Sequence, residues 1–189
     1  MDLRVNILDT RNQELVEGVV RLARQEDKVL WTHWHGALYR DSEDGYWEWD
    51  ALIDQAFADP EQFVVYALEA RSELQGLRMI QVSQDEVEEY GVHALRLSTA
   101  PWNRRPQVRY RGVGSLLVAT AILRSLADGR GGQIHCESLP ESEVFRRQNG
   151  MVVFDGLSDE GLSRYRFVEA TANRFLHRLR CKGLLPWNT

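Results

Sequence analysis

Short apolar runs broken by polar residues fill the chain, and the period of each run predicts its element. Leu3, Val5 and Ile7 alternate with polar neighbours, the period of a half-buried strand. Leu15, Val16, Val19, Leu22 and Ala23 fall at helical spacing and predict a helix through Glu26, with Asp9 or Thr10 as its candidate cap. Residues 29–59 predict a helical stretch, a polar break at Asp41-Ser42-Glu43-Asp44-Gly45, and a second helix over 47–58 that ends at Asp59-Pro60. Residues 63–68 and 77–82 are strand-like runs around a polar turn, the pattern of an antiparallel hairpin. Residues 93–99 alternate again as a fourth strand, followed by a loop bracketed by Pro101 and Pro106. The apolar run from Leu116 to Leu126 predicts a long helix that begins near Gly114. A glycine-rich turn at 128–132 leads to a fifth strand over 133–138, then a short helix over 141–148 with Gly150 as its C-cap. Residues 151–154 and 163–168 predict two last strands, and 169–180 a basic helix.

The order strand, loop, helix, strand, helix across 93–150 predicts a parallel strand pair joined by a crossover helix. Hairpins on either side make the sheet mixed. The expected fold is therefore α/β (α+β): a mixed, mostly antiparallel central sheet of about six to seven strands, flanked by helices. Its fourth and fifth strands form the parallel pair.

Composition narrows the class. A chain of 189 residues fits one domain spanning 1–189, and 43% hydrophobic with 27% charged residues is ordinary for a globular protein. The net charge of -5 argues against a dominant nucleic-acid surface, although Arg104, Arg105, Arg109 and Arg111 form a local basic patch. Cys136 and Cys181 stand in no metal-binding spacing, so they read as free thiols of a reducing cytosol, with one disulfide as the alternative. The N-terminus lacks a signal-peptide core, and no apolar run reaches membrane-spanning length. The expectation is a soluble cytoplasmic protein with no membrane partner and no bound metal.

The candidate chemistry begins in front of the long helix. Arg109, Tyr110, Arg111, Gly112, Val113, Gly114 and Ser115 place two glycines between arginines and a helix start. Glycine lets a ligand approach the backbone closely, and the unpaired N–H groups of a helix N-terminus attract phosphate. The run Arg109-x-x-Gly112-x-Gly114 resembles the acetyl-CoA pyrophosphate motif of the GNAT N-acetyltransferase superfamily, Arg/Gln-x-x-Gly-x-Gly/Ala. A strand before it, an amphipathic helix after it, and a further strand and short helix agree with that resemblance. Residues 142–151 also resemble the family's later Phe-Tyr-x-x-x-Gly-Phe signature. Residues 93–168 carry the likeness; residues 1–92 match only in the order of elements.

The resemblance implies acetyl-CoA as co-substrate. Its pantetheine arm would enter a gap between the fourth and fifth strands and pair with Leu97, Ser98 and Thr99. Its pyrophosphate would lie on backbone N–H groups from Tyr110 to Ser115, with Arg109 and Arg111 adding charge. The thioester carbonyl would be polarised by a backbone N–H near Ser98 or Thr99. The family's usual acid is a tyrosine directly after the signature phenylalanine. Here Arg146 follows Phe145, and Leu139 stands where an asparagine is common. Arginine cannot donate its proton at neutral pH but can stabilise a thiolate. Ser142, one turn earlier, is the other group able to face a leaving thiolate.

For the base, Glu137 is the first candidate, and strand alternation puts it with His135 on one face and Cys136 on the other. An ion-paired strand carboxylate is the competing reading. Residues 29–59 are the expected acceptor side, with Trp31, Trp34, Glu43 and Trp47 as substrate-binding candidates. There the tryptophans, Trp49 included, either wall a pocket or fill the core, and Asp41, Glu43, Asp44, Glu48 and Asp50 either attract a cationic amine or form a solvated loop. His33-x-His35 reads as structural. The C-terminal basic helix reads as a docking helix, with a homodimer contact as the alternative.

Two readings from different classes stand. One is an acetyl-CoA-dependent N-acetyltransferase that acts on a primary amine of a small molecule or protein by direct attack. The other is a non-catalytic acyl-CoA-binding or protein-interaction module. A third, acetyl transfer to charged tRNA, calls for a basic groove that the acidic balance does not favour.

Overall fold

Two strands that the sequence pattern does not announce bring the sheet to nine among the described residues. The computed structural model describes residues 2–82, 91–104, 106 and 108–189, and within these the side chains of 35–41 are outside the description. Arg105, His35 and Asp41, singled out above, therefore lie outside the described backbone or side chains. The elements are β1 (Leu3–Asp9), β2 (Glu14–Leu22), α1 (Gln25–Asp41), α2 (Trp49–Ala58), β3 (Phe63–Ala70), β4 (Glu73–Gln81), β5 (Val92–Thr99), β6 (Tyr110–Arg111), α3 (Val113–Ala127), β7 (Ile134–Ser138), α4 (Glu143–Gln148), β8 (Val152–Leu157), β9 (Ser163–Phe167) and α5 (Glu169–Cys181). The sheet order is β6-β1-β2-β3-β4-β5-β7-β9-β8, and every neighbouring pair with a stated direction is antiparallel except β5–β7.

The predicted helix over 15–26 is a strand as far as Leu22, and α1 begins only at Gln25. Its residues Val16, Val19 and Val20 are β-branched and favour the pleated backbone, and Gly18 would weaken a helix interior. Asp9 caps a turn instead of a helix: its Oδ1 accepts the N–H of Arg11 at 2.9 Å and of Asn12 at 3.3 Å. That turn folds β2 back onto β1, with Asp9 opposite Glu14. The second unannounced strand, β6, is two residues long and pairs with Leu8 and Asp9 of β1.

Helices cover both faces. Trp31, Trp34, Trp49 and Ile53 of α1 and α2 pack with Val65, Leu77 and Met79 on one face. On the other, Leu116 and Leu117 of α3 and Phe175 and Leu176 of α5 pack with Val92, Ala94, Ile134 and Cys136.

A β-bulge in β5 sets which residues face which side. From Met79 to Gln81 β4 advances two residues, while β5, from Arg96 to His93, advances three. The extra residue reverses the alternation along β5. Beyond it, Arg96 and Ser98 lie beside Met79 and Leu77 on the α1/α2 face, and Leu97 and Thr99 lie beside Arg78 and Gly76 on the α3 face. Gly76 is needed there: an added Cβ would come within 2.8 Å of Leu117 Cδ1.

Candidate active site

A wedge opens where the one parallel pair comes apart. β5 and β7 pair only at Val92 with Ile134 and at His93 with His135, then diverge. From Ala94 to Thr99 and from Cys136 to Ser138 the two facing edges are therefore not paired with each other. A cleft of about 250 Å³ lies at the open end, lined by Leu97 and Thr99 of β5, Leu139, Glu141 and Ser142 after β7, and Glu43, Asp44 and Arg104 from the loops. The sequence-derived candidates Leu97, Thr99, Ser142 and Glu43 meet here. Ser98 does not present its hydroxyl to the cleft: Ser98 Oγ donates to Asp44 Oδ2 at 2.6 Å and accepts the Trp49 Nε1–H at 3.0 Å.

The glycine loop ends at the mouth of the same wedge. Gly112 caps α3 with φ +96°, the left-handed region that suits glycine, and offers no side-chain cap. The first helical bond runs from Leu116 N–H to Gly112 O, 2.9 Å, so the N–H groups of Val113, Gly114 and Ser115 have no carbonyl within the helix. Gly114 faces the gap between Thr99 and Phe145, with 3.8 and 3.9 Å left for an added Cβ. Two of the expected contributors are committed elsewhere. Tyr110 N–H donates to Asn103 Oδ1 at 3.1 Å and its ring is buried, because β6 pairs into the sheet. Arg109 Nη1 pairs with Glu73 Oε2 at 2.9 Å. Of this loop, the N–H groups of Val113, Gly114 and Ser115 stay without an intrahelical carbonyl, Val113 by its backbone only, since its side chain is in the core.

A second cleft, about 630 Å³, shares Gly112 and Ser115 with this loop. Arg111, Arg178 and Lys182 line it and no carboxylate does, so it is a basic extension of the loop. The C-terminal helix packs Phe175, Leu176 and Leu179 inward and turns Arg178 and Lys182 to this cleft. Helical spacing announced the apolar side but gave no reason to connect the basic side with residues 111–115.

The acceptor-side candidates divide. Trp31 and Trp34, 3% and 1% exposed, are core residues and not pocket walls, because α1 lays them on β4. Trp47 is half-buried, precedes α2, and has the Arg96 guanidinium 5.2 Å above its ring. Glu43 lines the cleft and its Oε2 accepts Glu141 N–H at 3.0 Å. Asp44 is no free anion: Arg104 grips both its oxygens at 2.7 Å. Burial alone would raise the Asp44 pKa, but the Arg104 fork and the Ser98 hydroxyl outweigh it and hold the carboxyl below its ordinary value.

Of the catalytic candidates, Glu137 sits on β7 on the α1/α2 face, with Arg164 Nε 4.0 Å from its Oε1. Arg146 is 7% exposed in α4, its Cζ 5.8 Å from the Phe145 ring. At the apex of the wedge the His93 and His135 rings stack 4.4 Å apart. Burial, then the charges of His135, Arg78, Arg96 and Arg164, push His93 down to about 3, so it is neutral at physiological pH. Alternation located His135 beside Glu137, but only the β5–β7 pairing brings His93 to them.

No protein-family model matches the chain, and no curated protein sequence matches it. Its fold does match solved structures. An acetyltransferase of the GNAT family from Streptococcus pneumoniae aligns with a TM-score of 0.53 at 15% identity, over 79% of this chain and 98% of the other. The PaiA N-acetyltransferase of Thermoplasma acidophilum, solved with coenzyme A, aligns at 0.54 and 15% over 79% and 97%. A chimera of the spermidine N-acetyltransferase SpeG from Vibrio cholerae with hSSAT aligns at 0.60 and 16% over 82% and 98%. The chain therefore has the GNAT acetyltransferase fold.

Proposed function

We propose that the chain is an acyl-coenzyme A-dependent N-acyltransferase, with acetyl-CoA as the simplest donor and a primary amine of a small molecule or protein as acceptor. The observation that carries this is the continuity of the wedge with the N-terminus of α3: the β5 edge at Leu97–Thr99, which β7 does not pair and where Arg104 Nε takes the Thr99 carbonyl at 2.9 Å, leads to the N–H groups of residues 113–115 that the helix leaves over. A pantetheine arm offers amides to such an edge, and a pyrophosphate suits such a helix start. Each charge-assisted hydrogen bond there contributes about 1.5–3 kcal/mol. Arg111, Arg178 and Lys182 extend the positive field toward the nucleotide end.

The thioester supplies an activated acyl carbon. The amine nitrogen bonds to that carbon, the C–S bond breaks, and the sulfur leaves with the electron pair. Ser142 hydrogen-bonds the leaving sulfur directly or through water, a role supported by its position on the lining of the cleft. Arg146 adds positive charge from α4 without giving up a proton. Glu137, through water, takes the proton the amine loses; His93 at about 3 is too weak a base for that task. The reading as a binding module without turnover draws on the arginine that follows Phe145 in place of a tyrosine.

One assay separates the two: free-thiol release from acetyl-CoA across polyamines, amino acids, aminoglycosides and peptides, alongside calorimetric binding of CoA. Turnover on any amine is expected. Binding with no thiol release on the whole panel would leave the binding module, and no CoA binding would overturn both.

A further inference from the structure

Among the described residues, Arg78 is buried without a hydrogen-bond partner. Its side chain is 1% exposed, and Nε, Nη1 and Nη2 all lack a hydrogen-bond partner. Arg146, 7% exposed, leaves Nε and Nη1 equally unmet. The other buried arginine among the described residues, Arg21, is paired with Asp27 and Glu69. A buried ion normally has a counter-ion, because its lost hydration is not otherwise replaced.

Register and neighbours locate the Arg78 head. Its Cα is beside Leu97 on the α3 face, and Leu97 lines the cleft. The charges that act on it come from Arg146 of α4 and Cys136 of β7, while Arg78 in turn acts on His93 of β5. It therefore lies on the α3 face near Cys136, His93 and Arg146, where β5 and β7 have just parted. Burial foremost, then Arg146, lowers Arg78 to about 9, so it still carries its charge at neutral pH.

We propose that Arg78 and Arg146 form an anion pocket for a carboxylate at the far end of the acyl group, so that the preferred donor is a CoA thioester of a short dicarboxylic acid. This rests on the acyl-CoA reading above. An arm that enters past Ser115 and Leu97 presents its acyl terminus to the closed end of the wedge. A carboxylate on the acceptor would instead approach past Glu43 and Glu141, where like charge opposes it. The transfer itself is unchanged: the C–N bond forms, the C–S bond breaks, and the distal carboxylate is carried intact into the product. The bidentate geometry of guanidinium with carboxylate suits the unmet N–H groups.

The test compares CoA, acetyl-CoA, butyryl-CoA and succinyl-CoA by calorimetry on the wild type and on Arg78→Met. Butyryl and succinyl groups have the same chain length, so their difference isolates the charge. Succinyl-CoA is expected to bind at least about tenfold tighter than butyryl-CoA to the wild type. Arg78→Met is expected to erase that preference while CoA itself binds within about threefold of wild type, which also shows the variant folded. Its unliganded melting temperature should not fall, since an unpaired buried charge has been removed. Equal binding of succinyl- and butyryl-CoA, or a preference that survives Arg78→Met, would overturn the pocket and leave the acyl-CoA reading standing. So would a carboxylate preference seen only among acceptors with acetyl-CoA as donor. Failure of CoA alone to bind would remove both.

Discussion

Replacing Gly112 and Gly114, two residues apart in one loop, by alanine is expected to change stability in opposite directions. At Gly112 φ is +96°, and an added Cβ would lie 3.2 Å from Leu184 Cδ1. The left-handed backbone costs a residue with a side chain about 1–2 kcal/mol. Crowding by Leu184 adds to this, and alanine's smaller unfolded-state entropy offsets about 0.4–1 kcal/mol. Gly112→Ala should therefore lose about 1–2 kcal/mol, roughly a five- to thirtyfold change in the folding equilibrium. At Gly114, in the first turn of α3, the added Cβ makes ordinary contacts at 3.8 and 3.9 Å. Alanine there should gain up to about 1 kcal/mol of helix propensity. Ligand binding discriminates further. Gly114→Phe fills the gap between Thr99 and Phe145 and shields the N–H groups behind it. Loss of two or three charge-assisted bonds, about 1.5–3 kcal/mol each, predicts at least a hundredfold weaker CoA binding. Urea denaturation with unchanged m values measures the stabilities, and calorimetry with CoA measures the binding. Gly112→Ala as stable as wild type, with Gly114→Ala destabilised, would refute the loop geometry. Undiminished CoA binding by folded Gly114→Phe would refute the wedge mouth as the binding place. Gly112→Trp would be a poor probe of binding, because strain and Leu184 confound folding with binding.

Three further outcomes are expected. Asp44→Asn leaves the Arg104 fork without its counter-charge; as Arg104 is partly solvated, the loss should be about 2 kcal/mol by denaturation at neutral pH. Because the folded-state pKa of Asp44 is depressed below 3.8, that contribution is full above the unfolded value and vanishes as pH falls through the lower folded value, so wild type and variant should converge below about pH 4. Trp34→Ala should cost about 3–5 kcal/mol as a core cavity, whereas Trp47→Ala should chiefly raise the KM for the amine; equal stability losses would show that Trp47 is also core. Arg178→Gln with Lys182→Gln should weaken CoA binding by about tenfold at low salt and flatten its salt dependence, while a salt-independent loss would speak against a charge role.

The residues that proved legible are those whose role depends on near neighbours in the chain. Strand 93–99, the glycines at 112 and 114, the helix behind them and the short helix with Ser142 follow from local period and turn chemistry, and the wedge lies between them as expected. Residues 14–22 were misread because Leu15, Val16, Val19 and Leu22 satisfy a helical spacing while the alternation that matters is weak. What decides for a strand is the pairing of β2 with β1 on one side and β3 on the other. Trp31 and Trp34 were ambiguous for a similar reason, since an aromatic at helical spacing does not say which surface its helix meets.

By itself, then, the sequence determined a phosphate-suited glycine loop, a parallel pair beside it and the GNAT resemblance, because each is written in a local motif or in the order of successive elements. Only the tertiary structure decided that Tyr110 and Arg109 are committed elsewhere, that Arg178 and Lys182 join the loop, and that, among the described residues, Arg78 is buried without a hydrogen-bond partner. The physical reason is that burial and charge pairing are properties of surroundings. Arg78 in its strand reads like any arginine until β5, β7 and α4 close around it and, among the described residues, leave its N–H groups unmet.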